Sequence, residues 1–290
     1  MNEKDKNELV GQYNAIRQSL EPQIKKRSIG LSEKDRYRLV SIAAAREFRA
    51  RQTSLKDTVT ILWNRRYFNE QLAKVISRKT RSKGIKDVQE SIGLGSGDVR
   101  GFKRYNDTYG HDGGDDILRA VGTTLNNGGG LRSTDIAARM GGDEFNILLY
   151  DVEPHITGDY HLNPKAGLAI AALRLVESMH TQHIKLKDQS DGKVVDESYH
   201  FDLGVTLIQD TDTQEKAMKR ADRASYEAKN RLSPDAIQIV IASEVDGVDI
   251  FEVASFRLSS PVEKTQTGLN HIVTFEPTEN YPPRIISERA

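Results

Sequence analysis

Three acidic residues stand where backbone geometry can aim them: Asp98 closes a short apolar run, and Asp143 and Glu144 directly follow Gly141 and Gly142. Hard carboxylate oxygens of this kind suit Mg²⁺ or Mn²⁺. Mg²⁺ takes one or two carboxylates and completes its shell with water and substrate phosphate. A strand end and a facing hairpin can bring such groups together. The same residues also read as solvated surface acids, which are common at strand ends and turns. The two glycines bear on the choice, because a residue without a Cβ lets a phosphate or a second backbone approach closely and admits positive φ. They equally make an ordinary tight turn.

The periodicity supplies a scaffold for these residues. Residues 1 to 53 read as a charged helical lead-in, with Leu9, Tyr13, Ile16 and Leu20 on one face and Ser32 with Asp35 capping a second helix. It is either a pair of packing helices or a dimerising stalk. A turn-like DTVTILWNRR then precedes a helix that shares Phe68, Leu72, Val75 and Ile76 on one face, and Lys79 to Gly84 read as a basic loop. An apolar run ends near Val99, Asp115 to Leu125 form an amphipathic helix, and Ile136 to Tyr150 read as two strands joined at Gly141 and Gly142. A helix follows from Asn163 through Ile170, Leu173 and Val176. After it come a polar loop around KDQSDGK, a strand from Tyr199 to Ile208, a helix from Thr213 to Asn230 and a strand from Ile237 to Ile241.

Strands alternating with helices around one central hairpin predict an α+β fold, an antiparallel sheet with flanking helices. The expected division is 1–53 lead-in, 54–242 catalytic domain and 243–290 C-terminal extension, in which FEVASFRL and HIVTFE read as further strands.

Composition excludes several classes. The 290 residues contain no cysteine, which removes disulfides, thiolate catalysis and Cys-ligated metals. Forty-two basic residues balance 42 acidic ones, so no global field recruits nucleic acid or an anionic membrane. With no apolar leader and no run near the roughly 18 residues a spanning helix needs, the expectation is a cytoplasmic protein. GGGLRST lacks the lysine of a P-loop, and Gly93, Gly95 and Gly97 do not match GxGxxG.

The segment MGGDEF, Met140 to Phe145, resembles the naming motif of the GGDEF family of diguanylate cyclases. Upstream, GDVRGFKRYNDTYGHDGGD is similar to that family's DxDxFKxxNDxxGHxxGD, and DTVTILWNRRYF resembles its DxLTGLxNRRxF block. Downstream, ADRASYEAK resembles ADxALYxAK, so four blocks in the family's order span Asp57 to Lys229. The resemblance implies a fold like the palm of nucleotide cyclases and polymerases. It also implies condensation of two GTP into cyclic di-GMP across a homodimer with Mg²⁺ or Mn²⁺.

Matched position by position, Asp98 and Asp143 correspond to metal-binding carboxylates, with the Val99 carbonyl as a further ligand. Glu144 corresponds to an acid implicated in metal binding or in activating the 3′-hydroxyl. Asn106 and Asp115 match the pair that reads the guanine edge; on their own they read as a turn residue and a helix N-cap. Phe102, Lys103, Gly141, Gly142 and Lys229 match residues around the triphosphate. Arg132 and Asp135, in RxxD spacing ahead of the hairpin, resemble the family's product-inhibition site, where otherwise a loop ion pair would stand.

The sequence also departs from the pattern. Arg100 replaces the second aspartate of DxD, Ile61 replaces the glycine of LTGL, and Ser233 lies near an expected arginine, with Arg231 close by. The alternative reading is therefore a weakly catalytic module that binds GTP or cyclic di-GMP.

Overall fold

The computed structural model describes residues 3–81, 91–126, 130–152, 164–230, 236–245, 248–257, 271–276 and 284–289. The chain divides into two compact units, Met1–Lys56 and Asp57–Ala290. The first is a helical pair, α1 (Glu3–Arg27) and α2 (Glu33–Thr53). Ile16, Val40 and Ala44 are buried between them, and Tyr13 meets Phe48 edge-on with ring centroids 6.1 Å apart. Ser32 caps α2: its hydroxyl accepts from the Asp35 N–H at 3.1 Å and donates to the Asp35 carboxylate at 2.6 Å.

The second unit is built on a nine-stranded sheet. Along the chain it runs β1 (Trp63–Asn64), α3 (Arg65–Arg81), β2 (Gly93–Val99), α4 (Phe102–Asn126), β3 (Ile136–Gly141), β4 (Glu144–Leu149) and α5 (Pro164–His180). There follow β5 (His183–Lys187), β6 (Val194–Ser198), β7 (Phe201–Leu207), α6 (Gln214–Asn230), β8 (Ala236–Val245), β9 (Val248–Arg257), β10 (His271–Glu276) and β11 (Arg284–Arg289). The sheet order is β1-β3-β4-β2-β7-β8-β9-β10-β11, with β5 and β6 as a separate pair. Pairing is antiparallel except for β1 with β3 and β7 with β8. The architecture is thus the α+β fold expected. The strands read in FEVASFRL and HIVTFE lie in β9 and β10, which continue the sheet beyond β8.

Alternation along the strands divides the core into two layers. Phe145, Ile147 and Leu149 of β4 face a cluster with Ile117, Leu118 and Val121 of α4 and Leu168, Ala172 and Leu175 of α5. Leu148 joins the opposite cluster, with Phe68, Leu72 and Val75 of α3 and Ala217 and Ala221 of α6. The glycines at 93, 95 and 97 of β2 make room on the first face: a Cβ at Gly93 would lie 2.3 Å from Leu168, and one at Gly97 2.6 Å from the Phe201 ring.

Several local expectations are corrected. Lys79 to Arg81 belong to α3 rather than to a loop, and residues 82 to 84 lie outside the described set. The helix expected from Asp115 begins at Phe102 and is broken by non-helical φ/ψ at Gly110. In α5 the buried face runs through Leu168, Ala172, Leu175 and Met179, whereas Ile170 and Leu173 are only half-buried. The polar loop around KDQSDGK is the tip of the β5–β6 hairpin, whose alternation was hidden by exposed Lys and Asp. The turn of the central hairpin is Gly142–Asp143 rather than Gly141–Gly142, because Gly141 pairs with Glu144 across a register shift. Arg231 and Ser233 fall outside the described residues.

Ile61 keeps the turn that a glycine would favour by adopting φ 61°, a left-handed conformation that is unfavourable for a β-branched residue. Its side chain is 59% exposed, so little burial offsets the strain. Ile61→Gly should therefore stabilise the domain by about 1 kcal/mol, net of the added unfolded-state entropy of glycine. Thermal unfolding checks this, with an expected rise of about 2–4 °C; a lower transition temperature would contradict the strain.

Candidate active site

The two ladders that flank β2 bring the acids together. Asp98 lies directly opposite Glu144 on β4 and Asp202 on β7, and opposed residues send their side chains from the same face. That face also carries α6, whose last turn contributes Lys229. Its ammonium bonds the Asp98 Oδ2. Asp98 is buried, whereas Glu144 is exposed and Asp143 half-buried at the turn.

Burial pushes the Asp98 carboxyl above the usual range despite the Lys229 ammonium, and the charges of Asp202 and Asp143 push the same way. Burial works against the Lys229 charge, but its hydrogen bond and attraction to Asp98, with Asp143 and Asp202 adding, hold its pKa up. The site therefore concentrates negative charge at a strand end and already binds one cationic group there.

That chemistry fits a hard divalent cation. Among the described residues no group of three or more His, Cys, Asp or Glu side chains is placed to hold a metal. A site of two carboxylates is still sufficient for Mg²⁺, which fills its remaining positions with water and phosphate. Asp98 and Glu144 are the adjacent pair, with Asp143 near enough for its charge to bear on both Asp98 and Lys229.

Asn106 and Asp115, expected to read the guanine edge, are brought together by the break in α4. Gly110 has φ 73° and ψ 176°, open to glycine, and the chain re-enters helix beyond it. Across this break Asn106 lies against Gly114: a Cβ there would sit 1.9 Å from Asn106 Oδ1 and 3.3 Å from the Phe102 ring. Phe102, Asn106 and the Gly114–Asp115 step thus form one cluster. Asp115 is half-buried, with Arg119 3.7 Å away, and Lys103 is exposed. The β5–β6 hairpin braces the first half of α4: the Gln189 N–H donates to the Thr108 carbonyl at 3.3 Å and Tyr105 donates to the Ser198 carbonyl at 2.9 Å.

Residues 54–233 match the family described as "Diguanylate cyclase, GGDEF domain". The chain belongs to the GGDEF family. It is 29% identical over 218 residues to the diguanylate cyclase DgcS of Shewanella oneidensis, covering 73% of this chain and 62% of that protein. It is also 29% identical over 180 residues to the response regulator PleD of Caulobacter vibrioides, covering 61% of this chain and 34% of PleD. The chain thus spans less than two thirds of either relative. The crystal structure of the coiled coil and GGDEF domain of DgcB from Caulobacter crescentus in complex with c-di-GMP superposes with a TM-score of 0.55 at 21% identity, covering 68% of this chain and 92% of that one. At that identity the superposition supports the fold. Among the described residues no helix is long and apolar enough to cross a membrane.

In this GGDEF domain the hairpin is fastened by residues not singled out from the sequence. Arg65 donates to the Met140 carbonyl at 2.7 Å, and Arg139 donates to the Gly142 carbonyl at 2.8 Å. Arg139 also pairs with Asp57 at 3.3 Å. Although burial opposes it, hydrogen bonds from Thr60 and the Arg139 charge hold the Asp57 carboxyl below its usual range. Gly141 and Gly142 take φ 141° and 55°, so their glycine identity is conformational. Apart from Arg139, which stands just before the MGGDEF segment, these residues lie inside the matching blocks, but only the fold shows that they touch.

Arg132 and Asp135 lie at the other end of β3 from Gly142, about 20 Å along the strand at some 3.3 Å per residue. Asp135 accepts the N–H groups of Arg132 at 2.7 Å and Tyr150 at 2.9 Å, while Arg132 Nη1 donates to the Asp151 carbonyl at 3.0 Å. Arg100 is not a free cation beside Asp98: its guanidinium grips Asp202, and the Asp98 charge adds to its stabilisation.

Proposed function

We propose that this GGDEF domain is a diguanylate cyclase that condenses two GTP into cyclic di-GMP and two pyrophosphates. The observation that carries the reading is the ladder register that sets Glu144 beside Asp98, with Lys229 on the same carboxylate. Asp98 and Asp143, with the Val99 carbonyl, would hold Mg²⁺ or Mn²⁺, and Glu144, opposite Asp98 in the ladder, would join them as a further ligand or activate the 3′-hydroxyl. When bound, the metal supplies Lewis-acid stabilisation of the triphosphate.

Lys229 and Lys103 add positive charge for the phosphates, and Gly141 and Gly142 let them come close to the backbone. Asn106 and Asp115 hold the guanine edge, the carboxylate accepting from N1–H and the exocyclic amine. One domain holds one GTP, and its 3′-hydroxyl cannot reach its own α-phosphorus productively. Two domains must therefore face each other about a two-fold axis, each hydroxyl attacking the partner nucleotide's α-phosphate with pyrophosphate leaving in line. Catalysis is then mostly positioning. A GTP-consuming role also places the domain in the cytoplasm.

Incubation with equal GTP and ATP in the presence of Mg²⁺, resolved by chromatography, tests the reading: cyclic di-GMP accumulates while ATP persists. Asp115→Asn should lower kcat/KM for GTP by about 10- to 100-fold, because it replaces a charge-assisted acceptor with an amide whose N–H groups face donors. Unchanged preference for GTP in that variant would exclude Asp115 from base reading.

The same reading makes Arg132 and Asp135 a product site, in which the Asp135 hydrogen bonds preset the loop and Arg132 offers its remaining N–H groups to phosphate or guanine. Progress curves check this. Arg132→Ala should retain the initial rate and lose the slowing that accumulating cyclic di-GMP causes; slowing identical to the parent would contradict it.

A further inference from the structure

Arg100 stands where the family pattern carries a second aspartate, and the structure pairs it with an acid 102 residues away. Asp202 lies on β7 opposite Asp98, just as Glu144 lies opposite it on β4. Three carboxylates therefore follow one another across adjacent strands. The Asp202 side chain is only 5% exposed, where an unpaired charge is costly. Arg100 answers it with a forked grip: Nε lies 3.1 and 2.9 Å from the two oxygens, and Nη2 donates to Oδ1. The Arg100 backbone N–H donates to the His200 carbonyl at 2.9 Å, so main chain and side chain are both fastened to the β7 side.

We propose that Arg100 and Asp202 are a positioning pair for the metal site: Arg100 neutralises Asp202, and Asp202 holds the Arg100 cation away from Asp98. The working carboxylates are then Asp98 and the hairpin acids Asp143 and Glu144, and the substitution at position 100 is balanced rather than disabling. This rests on the cyclase reading only in taking Asp98 and the hairpin acids as metal ligands.

The pair makes a prediction of sign that a merely structural role does not. Arg100→Gln uncovers a negative charge one strand from Asp98 and should tighten metal binding. Asp202→Asn releases a positive charge two residues from Asp98 and should weaken it. Charges at such separations, partly screened, shift affinity by about three- to tenfold.

The test uses the full chain without nucleotide and Mn²⁺ alone as the probe, with free Mn²⁺ measured by electron paramagnetic resonance. The expected result is a lower Kd for Arg100→Gln, a higher Kd for Asp202→Asn, and a value within about twofold of the parent for the double variant, the two charges having cancelled. Weakening in both single variants, or no shift in either, would overturn the proposal. If circular dichroism shows that Asp202→Asn has not folded, the sign in Arg100→Gln decides: tightening supports the pair and weakening sinks it. Wrong signs in a chain whose parent makes cyclic di-GMP remove the pair alone, whereas a parent that neither binds Mn²⁺ nor makes product removes the cyclase reading with it.

Discussion

Asp98→Asn should lower cyclic di-GMP synthesis by about 10³-fold or more while leaving the domain folded, since losing one preorganised electrostatic contact to the transition state already costs about 10²–10³. Asp98 is the carboxylate on which the site converges, opposite Glu144 and Asp202 in the ladders and bonded to Lys229. An asparagine keeps the shape but presents a neutral oxygen to the metal. Stability is spared because Asp98 is buried beside other acids, so neutralising it removes repulsion as well as the Lys229 pair. Lys229 is 48% exposed and regains water when the pair is lost. Initial rates with GTP and Mg²⁺, read beside a circular dichroism spectrum, check this. Near-parental turnover would remove Asp98 from the mechanism.

Arg220→Leu should destabilise the domain by about 3–5 kcal/mol, the usual cost of leaving one member of a buried ion pair behind. Arg220 and Asp212 are 2% and 1% exposed, and the guanidinium reaches the two carboxylate oxygens at 3.0 and 2.6 Å. It also donates to Thr206 Oγ1 at 2.7 Å and to the Leu207 carbonyl at 3.1 Å, so it ties α6 to the end of β7. Without it, the Asp212 charge has no comparable solvation. Urea unfolding measures the effect as a lower midpoint at unchanged slope. Replacing both residues by leucine should cost less than the single change, because the stranded charge is gone; equal losses would mean that the Thr206 and Leu207 bonds dominate.

The parts of the site legible in the sequence are those whose chemistry is local. Asp98 at a strand end, the acids after Gly141–Gly142 and the Asn106 and Asp115 spacing belong to blocks that can be read in order. What escaped reading is set by pairing over long separations. Nothing local in HFDLG marks Asp202 as the neighbour of Asp98, and nothing in DTVT marks Asp57 as the partner of Arg139. The β5–β6 hairpin escaped because its strands, HIKLK and VVDES, expose polar residues and carry only one buried side chain, Leu186. The start of α4 was hidden by Gly110, which a propensity reading takes as a break between elements and which here bends one around the Asn106 cluster. The strands of residues 251–257 and 271–276 were visible by alternation. Their place beyond β8 in the main sheet depends on register, which alternation does not encode.

The measurement that bears most directly on the account is ³¹P nuclear magnetic resonance of the full chain turning over GTP and Mg²⁺, repeated through a dilution series. The expected result is a single phosphodiester product, cyclic di-GMP, appearing with two pyrophosphates per molecule, and a rate per chain that falls on dilution as facing domains separate. No phosphodiester product at any protein concentration from a folded chain, or release of GDP and inorganic phosphate in its place, would contradict it.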